Sequence, residues 1–346
     1  MLINLAAFVV IVAGIMAAKP LLIPFLLACF LAIICAPPVF WLQRRGVPAL
    51  VSIISFVLLV LFAELMIATL LATSLAEFSR SMPRYQDRLH GLFEDLITWL
   101  QAHGIEITGQ VIMDQFDPGK LMRLVANMLN NLFGMLTNTF MIILTLVFIL
   151  LEAAGFSAKI RAIAGTTEAD MAQYEQIIRG VNRYLGLKSA TSLCTGLLIY
   201  AGLGIIGVDF AFMWAVLAFF LNFVPTIGSI IAAVPPVLLA LVQLGTGAAL
   251  ETASLYLAIN MVIGNMIEPR IMGSGVGLSP LVVFLSMAFW GWVLGPVGML
   301  LSVPLTMTLK IAMSYHERGR RFALLLGSNS EADRLATSRQ AKGEAT

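Results

Sequence analysis

Charge is scarce in this sequence. Only 12% of its 346 residues are Asp, Glu, Lys or Arg, while 60% are hydrophobic and the mean hydropathy is +0.94. Soluble domains average about 25% charged residues, so a soluble globular chain is excluded. A polytopic membrane protein is implied, with room for about eight helical spans of roughly 20 residues each. Cysteine is equally sparse: Cys29, Cys35 and Cys194 all lie inside apolar runs with no C-x-x-C pair. They support neither a disulfide framework nor a zinc site and read as packing residues. His90 and His103 stand too far apart, without neighbouring ligands, to argue for a metal. No G-x-x-x-x-G-K-[ST] loop is present, which removes a built-in ATPase. The polar insert at 77–123 shows no nucleophile-base or metal spacing, which argues against an enzyme, and no cofactor is implied. A net charge of +2 without a basic stripe gives no nucleic-acid signal. The densest basic cluster, Arg318, Arg320 and Arg321, follows an apolar segment directly and reads as a cytoplasmic anchor.

What is present is a succession of apolar runs. Residues 3–18, 21–42 and 47–76 read as three spans, the first of them retained because it lacks the basic n-region of a signal peptide. Pro24 suits the first turn of the second span, and Pro37-Pro38 is expected to break or end it. Glu64, set within the third span, reads either as a proton relay or as an acid facing a helix interface or water pocket. Residues 77–123 change character, with five basic and seven acidic residues. They predict an extramembrane helical insert, in which Leu89, Leu92, Phe93, Leu96, Trp99 and Leu100 form one amphipathic helix ended by Gly104. A turn at Asp117-Pro118-Gly119 then starts a helix running into a fourth span over 124–151. Residues 152–188 form a polar loop whose helix, around 169–184, carries Glu175, Arg179 and Arg183 at i, i+4, i+8 spacing. By the positive-inside rule that loop, Arg44-Arg45 and the partly disordered tail at 311–346 are cytoplasmic, and the insert lies outside.

Residues 189–310 form the expected transport core. After a span at 189–206 come two blocks, 210–244 and 280–309, separated by a span at 251–267. Each block is too long for one crossing and too short for two. Each is also interrupted, by NFVPTIGS (222–229) and GWVLGPVG (291–298), and the segment beginning Pro225-Thr226 aligns with that beginning Gly295-Pro296, 70 residues on. Paired Gly/Pro interruptions point to the binding site of a secondary transporter, because unwound backbone frees polar groups for a substrate. The alternative is that these are ordinary kinks. An all-α fold of seven to eight hydrophobic segments, two of them broken or re-entrant hairpins related by an internal repeat, is therefore predicted. The expected pathway residues are Asn222, Pro225, Thr226, Gly228, Ser229, Asn260, Asn265, Gly295, Pro296 and Gly298. Glu268-Pro269-Arg270 places two charges in almost unbroken hydrocarbon. With Gly273 and Gly277 it reads as a gate or hinge, or else as the interfacial end of a span.

Several strings carry a family resemblance: LNFVP (221–225), GSIIAAVPP (228–236), and above all GNMIEPRIMGSGVGLS (264–279) followed by LVVFLS, FWGW and LGPVGMLLSVPLT. They resemble the autoinducer-2 exporter family of bacterial inner-membrane proteins, with weaker similarity over nearly the whole chain, including Tyr184-Leu185-x-Leu187-Lys188. The resemblance implies a multi-span exporter of the furanosyl signal autoinducer-2, and other members look like cation/proton antiporters. A neutral furanone needs amide and backbone hydrogen bonds, whereas a proton-coupled cation site needs an ionisable carboxylate from among Glu64, Asp209, Glu251 and Glu268. A membrane-anchored enzyme or interaction protein acting through the insert is the remaining alternative. The expected partners are a small polar substrate and the lipid bilayer, with a homo-oligomer left open.

Overall fold

The computed structural model describes residues 2–103, 126, 127, 130, 139–164, 168–225, 227–272, 278–314, 319 and 325–327. Every regular element among them is a helix. Helix α1 (Leu2–Ala17) and helix α2 (Lys19–Arg44) part at Ala18, and Pro20 rather than Pro24 occupies the first turn of α2. Pro24, Pro37 and Pro38 all lie inside an unbroken α2, contrary to the expected break. A membrane helix survives such lost hydrogen bonds where neighbours pack around it. Here Ala28, Ala32, Cys35 and Val39 form a small-residue stripe along α2, packed with Ile142, Leu146 and Leu150 of α4 (Thr139–Ala164). Small side chains let helix backbones approach where lipid provides no hydrophobic drive for association.

At two of the expected boundaries the helix is continuous. Helix α3 (Ala49–Ala102) fuses the third span with the amphipathic helix of the insert into one rod of 54 residues, about 81 Å long. Its buried face explains the continuity, because Leu71, Phe78, Tyr85 and Leu89 fall on one stripe and join Trp214 and Met213 in the largest core cluster. Beyond the apolar run, Tyr85 Oη donates to Asp209 Oδ2 at 3.0 Å and Arg88 Nη1 donates to the Gln243 carbonyl at 3.2 Å. Likewise α5 (Glu168–Ile206) joins the loop helix to the following span, and Lys188 is buried within it instead of marking an edge. Gly104 and the Asp117-Pro118-Gly119 turn lie outside the described residues.

Each interrupted block folds back on itself. In the first, α6 (Ala211–Leu221) and α7 (Ile227–Leu244) bring the two ends of the block together. Gln243 accepts from the Asp209 N–H at 3.0 Å and donates to the Gly207 carbonyl at 3.3 Å. Helix α8 (Thr246–Ile259) continues through a π-helical segment (Asn260–Ile267) into α9 (Glu268–Met272). The second block is α10 (Pro280–Leu294), α11 (Pro296–Leu300) and α12 (Ser302–Ser314). Ser286 Oγ of α10 donates to the Ser302 carbonyl at 2.9 Å and Trp290 Nε1 to Thr306 Oγ1 at 3.0 Å. The first hairpin opens at the Gly207 end of α5. The second opens at the other end, where Leu278, Val303 and Met307 pack on Tyr184 and Leu185.

The aligned glycines serve the same purpose at both elbows. A Cβ on Gly228 would lie 1.8 Å from the Leu221 carbonyl oxygen, and one on Gly298 2.0 Å from that of Trp290. Backbone sits on backbone in each case, so neither position admits a side chain. Among the described residues five helices, Lys19–Arg44, Ala49–Trp99, Arg179–Ile206, Ile227–Leu244 and Thr246–Ile271, are long and apolar enough to cross a membrane. Helices α6 and α10, at 11 and 15 residues, measure about 17 and 22 Å and fall short of a core about 30 Å thick.

Two predictions follow from these hairpins. Gly228→Ala and Gly298→Ala should each destabilise the purified protein by about 1–3 kcal/mol, the usual overpacking range. Gly247→Ala, with open space around it, should melt like the parent in the same thermal scan. For topology, in a variant lacking Cys29, Cys35 and Cys194, Gly247→Cys should react with an impermeant thiol reagent from the face opposite the Arg44-Arg45 turn. Arg270→Cys should react only from the same face as that turn. The reverse pattern would mean that the first block crosses once.

Candidate substrate cavity

A cavity of about 580 Å³ lies where α5, the first elbow, the π segment and the mouth of the second hairpin converge. Its polar groups come from Tyr184, Lys188, Asn222, Ser229, Asn260, Asn265 and Glu268, and the second block lends it an apolar wall with Leu278, Val283, Phe284 and Met287. Each polar group is placed by local chemistry. Asn222 ends α6, and its Nδ2 donates to Ser192 Oγ of α5 at 3.0 Å, which pins the elbow. Asn260 opens the π segment, whose wider turn frees space and backbone groups, as such bulges commonly do at functional sites. Gly264 belongs to this arrangement: a Cβ there would lie 2.9 Å from Asn260 Oδ1, so the missing side chain leaves room for the amide.

The cavity's charges neutralise one another. Lys188 Nζ donates to Glu268 Oε1 at 2.5 Å, and Thr191 Oγ1 donates to the same oxygen at 2.8 Å. The side chains are 6% and 16% exposed, so the pair is largely removed from solvent. Removing one partner of such a pair leaves an uncompensated charge, at about 3–5 kcal/mol. Arg270, the partner suggested by proximity in sequence, is exposed instead. Residues two apart on a helix do not face each other, so Glu268 and Arg270 of α9 point apart.

Of the residues predicted from sequence, Asn222, Pro225, Ser229, Asn260, Asn265 and Glu268 surround this cavity. Gly228 lies behind it, packed on Leu221, and Pro269 and Arg270 are exposed on α9. Gly295, Pro296 and Gly298 do not line it. Their elbow is remote from the cavity: a Cβ on Gly295 would lie 3.0 Å from Lys19 Nζ, and the end of α10 packs on Val12 of α1. The second hairpin lends the cavity its mouth, not its elbow. Thr226, Gly273 and Gly277 lie outside the described residues. Among the other acids, Asp209 accepts from Tyr85 at the far end of α5, Glu251 is exposed, and Glu64 is half-buried on α3.

The side chains that sequence reasoning missed are on α5. Lys188, Thr191, Ser192 and Thr195 recur at i, i+3, i+4 and i+7, and all four are buried. A polar stripe on one face of an otherwise apolar helix was the available signal, hidden by placing a boundary at Lys188.

Comparison with known proteins agrees with this architecture. Residues 5–318 match the family described as AI-2E family transporter. The chain is 40% identical to the AI-2 transport protein TqsA of Escherichia coli K12, over 94% of each chain. It is 39% identical to YhhT of the same organism, over 96% of each. A Haemophilus influenzae protein named for transport is 41% identical over 94% of this chain and 95% of its own. A multi-pass helical chain with a polar cavity, matched over 94% or more of its length by these relatives and over residues 5–318 by the family, belongs to the AI-2E transporter family.

Proposed function

We propose that this protein exports a small polar metabolite, autoinducer-2, across the bacterial inner membrane by a carrier or facilitator mechanism that uses no ATP. The cavity carries this reading: amides, hydroxyls and a self-neutralised ion pair face one apolar wall. A neutral furanosyl molecule with several hydroxyls and a small apolar face needs that mixture, with the polar groups fixing orientation. The relative named for AI-2 transport supports the same substrate class here. Cation/proton antiport would need a carboxylate available to its ion, and Glu268 is already held by Lys188 and Thr191.

With Arg44-Arg45 and the basic tail cytoplasmic, the first hairpin re-enters from outside and the second from the cytoplasm. The Lys188–Glu268 pair then sits at the cytoplasmic mouth and forms the gate, with Lys188 taking the part first assigned to Arg270. Opening separates or rehydrates the pair, and closing restores it.

Labelled autoinducer-2 flux in proteoliposomes, with and without proton or sodium gradients, tests the substrate directly; no flux by the parent under any gradient would overturn it. For the gate, Glu268→Gln should lower flux at least tenfold and lower the melting temperature, because Lys188 is left buried and unpaired. The double variant Lys188→Met/Glu268→Gln should melt close to the parent yet stay transport-deficient. Parental flux in the double variant would reduce the pair to a structural role.

A further inference from the structure

Beyond Ser192 the polar stripe of α5 reaches Thr195, which with Tyr256 of α8 lines a small space of about 10 Å³. That is about one water-sized probe, the least a buried water requires. Asn222, Ser229, Asn260 and Gly264 line both this space and the large cavity. Ser229, Tyr256 and Asn260 also border a groove of about 270 Å³ between α7 and α8. The small space, called the neck below, thus shares walls with two larger ones.

Thr195 and Tyr256 both line this neck, and their hydroxyl oxygens are buried with no hydrogen-bond partner among the described residues. An unsatisfied buried hydroxyl costs about 1–3 kcal/mol, and two around one water-sized space are more than packing needs. Phenylalanine and valine would fill the same volume without that penalty. The remaining polar lining is amide and hydroxyl, and Glu268, the carboxylate of the large cavity, does not reach the neck. An uncharged lining suits a neutral ligand.

We infer that the neck is a binding site for a single neutral hydroxyl group, held by Thr195 and Tyr256. A water molecule occupies it at rest, and a hydroxyl of the transported molecule takes the water's place during passage. Exchange of this kind preserves the hydrogen bonds, which is the condition for displacing an ordered water without loss of affinity. The second half of this inference rests on the transport function proposed above; the first half does not.

The test separates the two. In thermal scans of the purified full-length protein, Tyr256→Phe and Thr195→Val should each lower the melting temperature by about 2 °C or more, while Thr195→Ser should hold it. The double variant should be little worse than either single one, because both hydroxyls serve one water. A rise in melting temperature in either single variant, or full additivity in the double, would overturn the water site. Sodium chloride and choline chloride at equal ionic strength should act alike on the parent. A sodium-specific rise that both variants abolish would give the neck to a cation and overturn the neutral assignment. In proteoliposomes that transport autoinducer-2, Tyr256→Phe should raise KM about tenfold with little change in maximal rate. An unchanged KM would overturn the exchange step while leaving the water site standing, and absence of parental flux would instead refute the transport reading.

Discussion

A lysine and a glutamate buried against each other set most of what surrounds them. The charges of Lys188 and Glu268 cannot be left apart once removed from solvent, so α5 and α9 must meet face to face. The π-helical segment between α8 and α9 contributes to this meeting. Each residue added to a helical turn rotates everything downstream by about 100°, and the segment that widens around Asn260 also sets which way Glu268 points. The ion pair, the bulge and the space beside them are therefore one construction: the bulge opens the cavity, and the pair holds its rim.

The hairpins rest on a second constraint, the need to satisfy backbone groups without water. Both elbows bring a glycine onto the carbonyl of the preceding helix, at Leu221 and at Trp290, and both leave a short helix that cannot cross a bilayer alone. Such segments are tolerated at membrane depth when protein or a water-filled cavity surrounds them. The first elbow meets that condition with Asn222 bonded to Ser192, and the second with α1 and α2 packed behind it. Two elbows that each rest a glycine on a carbonyl thus face different surroundings, and only the first borders the polar cavity.

How much of this was legible in the sequence depended on whether the signal was local. Gly228 and Gly298 were found because an interruption repeated at fixed spacing is a one-dimensional pattern, and Asn222, Asn260 and Glu268 because polar residues stand out in apolar runs. Helix continuity was harder to read. Pro37-Pro38 suggests a stop by local rules, yet α2 is carried through by Cys35 and Val39 packing against α4, a contact invisible in the string. The partner of Glu268 was missed for the same reason: Arg270 is near in sequence, but helical geometry turns it away, and Lys188 lies 80 residues distant. Tyr256 and Thr195 gain meaning only when a third helix brings them to one space.

The length of α3 carries a mechanical consequence. Its 54 residues include one interior proline, Pro83, two residues before Tyr85, which holds Asp209, and five before Arg88, which holds Gln243. A proline cannot donate to the preceding turn, and sharp bends in helices fall at such residues. The joint at which so long a helix gives most readily therefore lies beside its clasp to both ends of the first hairpin, so a bend there moves the hairpin mouth and leaves the apolar run before it straight.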